Sequence, residues 1–101
     1  MLKTKMIKFT YKPLPDCLTV AQSDINGLGL YSTQNIKANT ILGITHGAFE
    51  SDIWRTPLGG FINHADQPNC QLVGSKNKFY LKTVTSIMPG TELTVHYSLE
   101  Q

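Results

Sequence analysis

The sequence predicts a mostly β fold made of short strands, and three observations predict it. No long stretch keeps the 3.6-residue apolar periodicity of a helix. Runs rich in Val, Ile, Thr, Leu and Tyr are cut at short intervals by Gly, Pro and Asn, the residues that turn a chain between strands. The chain has 101 residues, 41% apolar and 16% charged, a globular composition of the size of one domain.

The elements follow in chain order. Met6 to Tyr11 is the first strand candidate, closed by Pro13 and Pro15, and Cys17 to Gln22 is the second. Asn26-Gly27 with Gly29 makes a tight turn, after which Leu30 to Ser32 is extended. Lys37-Ala38-Asn39 is a turn, and Thr40 to Thr45 is a β-branched strand. Residues 46–60 carry Trp54, Pro57 and three glycines, and the expectation there is one short helical turn around Ser51 to Arg55. Phe61 to Asn69 is irregular and polar, a kind of stretch that in a small domain is usually functional. Gln71 to Gly74 pairs with Phe79 to Thr85 across Ser75 to Lys78. Pro89-Gly90 suits a type II turn, with proline setting one φ and glycine accepting a positive one. Glu92 to Tyr97 closes the fold, with Leu93, Val95 and Tyr97 on one face and Thr94 and His96 on the other. No internal repeat is read from the sequence.

Composition excludes several classes. No apolar run approaches the roughly 18 residues of a membrane span, and the start of the chain lacks a signal-peptide core. A soluble, intracellular protein is expected, in the cytoplasm of a bacterial host or in the nucleus of a eukaryotic one. Nine basic against seven acidic residues leave a net charge of +2, too small to predict nucleic-acid binding. Lys3, Lys5, Lys8 and Lys12 read as guards of a strand edge. Cys17 and Cys70 form no C-x-x-C pair, so no metal site is expected. Two buried free thiols fit a reducing compartment.

Taken one at a time, the polar motifs are ordinary. Gly27-Leu28-Gly29 lets backbone approach a neighbour closely, but it lacks the third glycine and the helix of a dinucleotide fingerprint. Asn63-His64 with Pro68-Asn69 reads as a side-chain-capped turn holding an interior histidine. Tyr97 reads as a rim residue, Glu92 as a solvated turn acid and His96 as exposed. His46 has no ligand pattern around it. No nucleophile sits in an elbow-like turn.

Their order is more specific. Gly-Leu-Gly-Leu-Tyr at 27–31, Phe-Ile-Asn-His-x-x-x-Pro-Asn at 61–69 and Pro-Gly-Thr-Glu-Leu-Thr-Val-His-Tyr at 89–97 resemble the SET-domain protein-lysine methyltransferases. Among them the minimal stand-alone viral and bacterial forms are the most similar in length. The resemblance runs from about Leu18 to Tyr97. It implies a β-clip-like fold of several small sheets, with a C-terminal pseudoknot in which the last segment threads beneath the Asn63 loop. It implies S-adenosylmethionine as cofactor, held by Gly27, Leu28, Gly29, Asn63 and His64, and Tyr97 as the catalytic residue. The substrate lysine would enter by a channel lined by Thr45, Phe61, Val95 and Leu99. The implied partner is a lysine-bearing protein, either a histone or a ribosomal or translation protein.

The sequence also departs from the family pattern. Val95 and Thr45 stand where aromatic residues are common, Ala65-Asp66 where Ser-Cys is frequent, and Gly60 where an arginine is common. Ile25-Asn26 precede Gly27 where a basic residue would hold the cofactor carboxylate. The chain reads as a single SET domain over residues 1–101 without a zinc-binding post-SET segment. One wall of the channel would then come from elsewhere, from a second copy of the protein or from the substrate, and a homodimer is expected. The alternative is a catalytically weak or inactive SET-like module that docks a basic peptide or another protein. A third reading, a small β-barrel nucleic-acid binder using the lysine-rich N-terminus, conflicts with the motif order.

Overall fold

The computed structural model describes residues 14–50 and 52–96. The expected first strand, Met6 to Tyr11, and the lysine cluster around it lie outside the described residues, as do Tyr97 and Leu99. The strands are β1 (Leu18–Gln22), β2 (Leu28–Ser32), β3 (Ile41–Phe49), β4 (Asp52–Arg55), β5 (Asn63–His64), β6 (Cys70–Ser75), β7 (Lys78–Thr83) and β8 (Glu92–Val95), with one short helix, α1 (Pro57–Phe61), between β4 and β5. They form two four-stranded sheets, ordered β1-β2-β8-β5 and β4-β3-β7-β6. All pairings are antiparallel except β5 with β8, where Asn63 lies opposite Thr94 and His64 opposite Val95. No helix among the described residues is long and apolar enough to cross a membrane.

The helical turn expected around Ser51 to Arg55 is instead strand β4. Asp52 to Arg55 pair with His46 to Phe49 of β3, and the interstrand hydrogen bonds of this edge outweigh a helix too short to nucleate alone. The helix comes one step later. Thr56 caps it by accepting from Gly59 N at 3.3 Å, and Pro57 takes the first-turn position where no amide donor is needed. Gly59 is required by contact: a Cβ there would collide with the backbone carbonyl of Thr45. This close approach packs α1 on β3 and aims the following residues, Asn63-His64, at β8.

The core gathers Leu30, Leu93 and Val95 from the first sheet, Leu42, Cys70 and Leu81 from the second, and Leu58 and Ile62 from the helix and its exit. Leu30, Leu81, Leu93 and Val95 are fully buried, each worth about 1.5–3 kcal/mol of transfer free energy. Thr94, on the other face of β8, is buried as well. The Asn69 loop covers it: Asn69 Oδ1 accepts from Thr94 N at 2.8 Å, and Asn69 Nδ2 donates to Glu92 O at 2.9 Å.

The fold contains an internal two-fold repeat that the sequence reading did not find. Ser32, Ile36, Asn39, Thr40 and Leu42 correspond to Thr83, Ile87, Gly90, Thr91 and Leu93 at a constant offset of 51 residues. Ile36 and Ile87 exchange backbone hydrogen bonds at 2.9 and 2.8 Å on the local axis. Each half reads the other half's turn through one buried hydroxyl. Thr83 Oγ1 donates to Lys37 O and accepts from Thr40 N, and Ser32 Oγ donates to Met88 O and accepts from Thr91 N. The backbone repeats too, with Asn39 N donating to Thr83 O and Gly90 N to Ser32 O, both at 2.8 Å. Asn39 and Gly90 take φ of 64° and 81°, the left-handed region that Gly and Asn tolerate best. The signal was dispersed because Ser for Thr and Asn for Gly preserve the geometry without preserving identity.

Candidate active site

The three motifs, all described except for Tyr97, meet where β2, β5 and β8 adjoin. Tyr31 lies opposite Glu92 and Leu30 opposite Leu93, and β5 delivers Asn63 to the far side of β8. The Asn63 amide nitrogen is then 2.9 Å from Glu92 Oε2, 3.1 Å from Asn26 O, 3.2 Å from Leu28 O and 3.2 Å from Ser23 Oγ. Four acceptors around one amide fix its orientation, because the carbonyl end would face only lone pairs.

Glu92 is not the solvated turn acid that the sequence suggested. Its carboxylate accepts from Ser23 Oγ at 2.8 and 2.9 Å, from Asn63 Nδ2, and lies 3.3 Å from the Tyr31 hydroxyl. Partial burial first, and the Glu92 charge next, push the Tyr31 phenol up from its ordinary pKa, so it stays a protonated donor. Ser23 also turns the loop, its oxygen accepting from Ile25 N and Asn26 N, and Gly27 completes that turn at φ 51°.

Gly29 lies beneath this group. A Cβ there would overlap the Glu92 carboxylate and approach Asn63 Nδ2 to 3.1 Å. The space above the glycine is thus taken by two of the protein's own side chains. Leu28 is half-exposed, and His64 is exposed rather than interior, since β5 is an edge strand. His96 is exposed as well. Ser23, Tyr31 and Glu92 are the residues that sequence reasoning missed. Tyr31 and Glu92 stand inside the motifs at 27–31 and 89–97 but were given no role there, and nothing in the sequence marked Ser23.

The proposed channel residues fall in different surroundings. Thr45 is buried, its Oγ1 donating to Phe79 O at 3.1 Å and lying 3.0 Å from His46 Nδ1. It borders a cavity of about 380 Å³ lined also by His46, Arg55, Gly59, Ile62 and Leu72. Phe61 packs against the core and Val95 is fully buried. His46 stacks on Phe79 at a centroid separation of 4.6 Å, and burial, then the Arg55 charge, hold its pKa below the ordinary value. Cys70 is buried and its thiol is pushed up to about 12 by desolvation. Cys17, expected to be buried, is only partly so, and both thiols are free.

Comparison with known proteins agrees with the fold. The family model for the SET domain matches residues 44–98, just over half of the chain, and the chain belongs to the SET-domain family. Among solved structures it is similar to a Plasmodium falciparum protein described as a candidate histone methyltransferase, with a TM-score of 0.69 and 20% identity over 85% of this chain and 96% of that one. It is also similar to the methyltransferase domain of human PR domain-containing protein 2, with a TM-score of 0.70 and 19% identity over 84% of this chain and 79% of that one. At these identities the likeness shows the shared fold. A search of curated proteins finds no match.

Proposed function

We propose that this protein transfers a methyl group from S-adenosylmethionine to the side-chain amine of a protein lysine. The observation that carries the reading is the Asn63 amide, which joins the Gly27–Gly29 turn to the start of the last strand through Leu28 O and Glu92. Asn26 O, Leu28 O and the Glu92 carboxylate converge on one point, and such a set suits a cation. The α-ammonium of the cofactor has that chemistry, and it would displace or share the Asn63 donor. Gly27, Leu28, Gly29, Asn63 and His64 are the residues proposed to hold it.

When bound, the cofactor supplies an electrophilic methyl group on a sulfonium. The chain's own residues must then meet the demands of a direct displacement. The attacking amine must be neutral, yet a free lysine with a pKa of about 10.4 is neutral only about once in 2,500 at pH 7. A channel that strips water disfavours the ammonium, and holding the amine in line can supply several kcal/mol of the barrier. Tyr97 is proposed to position the amine and to offer its hydroxyl oxygen to the polarised methyl hydrogens. It acts as a positioning and electrostatic group, since a phenol near pKa 10 is protonated at pH 7.

One observation favours the second reading, a docking module. Thr45 stands where an active-site tyrosine is common in the resemblance, and its hydroxyl is already engaged inside the protein. Calorimetric titration with S-adenosylmethionine, followed by a labelled-methyl assay on host lysate with the wild type and Tyr97→Phe, separates the two. The enzyme reading expects micromolar cofactor binding, about −8 kcal/mol, and a large rate loss in the variant with cofactor binding retained. A folded wild type that does not bind the cofactor removes the enzyme reading, and binding without turnover favours the module. Equal activity of Tyr97→Phe moves the chemistry away from Tyr97. The reading further proposes a histone or a ribosomal or translation protein as substrate, an intracellular setting, and a single SET domain that borrows a channel wall from a second copy. Sedimentation equilibrium tests the dimer.

A further inference from the structure

We propose that His64, Asp66 and His96 form a binding site for a divalent transition metal of the zinc, cobalt and nickel class. One ligand atom from each of the three lies within 4.8 Å of the other two. His64 and Asp66 are near neighbours in sequence, and the fold brings the distant His96 to them: β5 runs parallel to β8 with His64 opposite Val95, so His96 follows directly after its neighbour strand. The two imidazoles meet at a centroid separation of 4.7 Å, tilted by 45°. His64 Nε2 is 3.5 Å from Asp66 Oδ1, and two ligands on one tetrahedral zinc lie about 3.4 Å apart when each bond is about 2.1 Å. That pair already has the spacing of a metal site.

A His64–Asp66 ion pair accounts for two of the three groups. The imidazole of His96, packed against His64 at the same place, is what a metal explains in addition. All three residues are exposed, so side-chain rotation alone can bring the third donor to bonding distance without moving the core, and coordination positions remain open to water. Two imidazoles and one carboxylate select zinc, cobalt or nickel over magnesium and calcium, which favour oxygen ligands. The site lies one residue from Asn63 and one from Tyr97. Occupancy would tie the end of β8 to β5 and steady the segment that leads into Tyr97. The metal site does not depend on the methyl-transfer reading.

The test uses the untagged full chain, stripped with chelator. Zinc is titrated by calorimetry and cobalt by visible absorption. The expected result is one saturable site in the micromolar range, d–d bands of a low-coordinate cobalt centre, and a zinc-dependent rise in Tm. His64→Ala, Asp66→Ala and His96→Ala should each weaken binding by about ten-fold or more, with circular dichroism showing that they remain folded. His46→Gln, which changes the third histidine, should bind as the wild type does. The proposal is overturned by a folded wild type with no saturable site, by His96→Ala binding as tightly as the wild type, or by loss of the site in His46→Gln.

Discussion

Gly29→Ala isolates the contact on which the candidate site is built. The added methyl would overlap the Glu92 carboxylate and approach Asn63 Nδ2 to 3.1 Å. The carboxylate must move, and it holds hydrogen bonds from Ser23 at 2.8 Å and Asn63 at 2.9 Å. Losing one hydrogen bond to a charged group costs about 1.5–3 kcal/mol, and retaining it under overpacking costs about 1–3 kcal/mol. These are alternatives and do not add, so the expected destabilisation is about 2 kcal/mol. For a chain near 100 residues that is a fall in Tm of about 8–16 °C. Urea and thermal unfolding followed by circular dichroism measure it. The cycle with Glu92→Ala is the decisive part. With the carboxylate gone the methyl has room, and Gly29→Ala should then cost less than about 0.5 kcal/mol, a coupling well above the additivity of separate sites. An equal cost of Gly29→Ala in both backgrounds would refute the argument that Glu92 occupies the space above the glycine.

Three further outcomes are expected. A thiol reagent at pH 8 should label partly buried Cys17 first, and Cys70, whose pKa is about 12, only as the protein unfolds; equal labelling rates in the native state would contradict its burial. His46 has a folded pKa held below its ordinary value of 6.5, so on acidification the unfolded chain takes up the proton first; stability is full above pH 6.5 and falls as pH drops through the folded value. In His46→Gln that part of the slope should vanish, as read from urea midpoints across the range. Ser32→Ala and Thr83→Val each remove a buried hydroxyl that serves one carbonyl and one amide, and each should cost about 1–3 kcal/mol in urea unfolding; a neutral pair would refute the structural role given to the repeat.

How much of this was legible depended on how local each cause is. The Pro89-Gly90 turn, the β6–β7 hairpin and the strand after Gly27 announce themselves in a few neighbouring residues, and all are present, the hairpin with a tighter Lys76-Asn77 loop than expected. Strand β4 was misread because Asp52 to Arg55 are all exposed and so carry no alternation; their state is set by pairing with β3, not by their own pattern. Glu92 was misread for the same reason. Its donors Ser23, Tyr31 and Asn63 come from three other places in the chain, and nothing beside Glu92 in sequence names them. The meeting of His64 with His96 follows from one parallel strand pair of two residues, too short to leave a periodic trace. The motif order did identify the family, because those spacings record the long-range pairing that single residues do not.

The two-fold repeat explains why the site stands at one end of the fold and not the other. The buried hydroxyls of Ser32 and Thr83 fix equivalent registers, Tyr31 opposite Glu92 in one half and Lys82 opposite Ile41 in the other. At the 51-residue offset Ile41 is the counterpart of Glu92, Lys82 of Tyr31, and Tyr80 of Gly29. In the second half Ile41 is exposed, no acid stands at its position and no glycine opens space beneath it, so no convergence of acceptors can form there. The first half carries the acid, the glycine and the phenol together, and only there does β5 arrive with an asparagine. The same scaffold geometry therefore occurs twice, while the chemistry depends on four residues that only one copy holds. Substitutions at the hydroxyls should therefore act on both halves, whereas substitutions at Gly29, Asn63 and Glu92 should act on one.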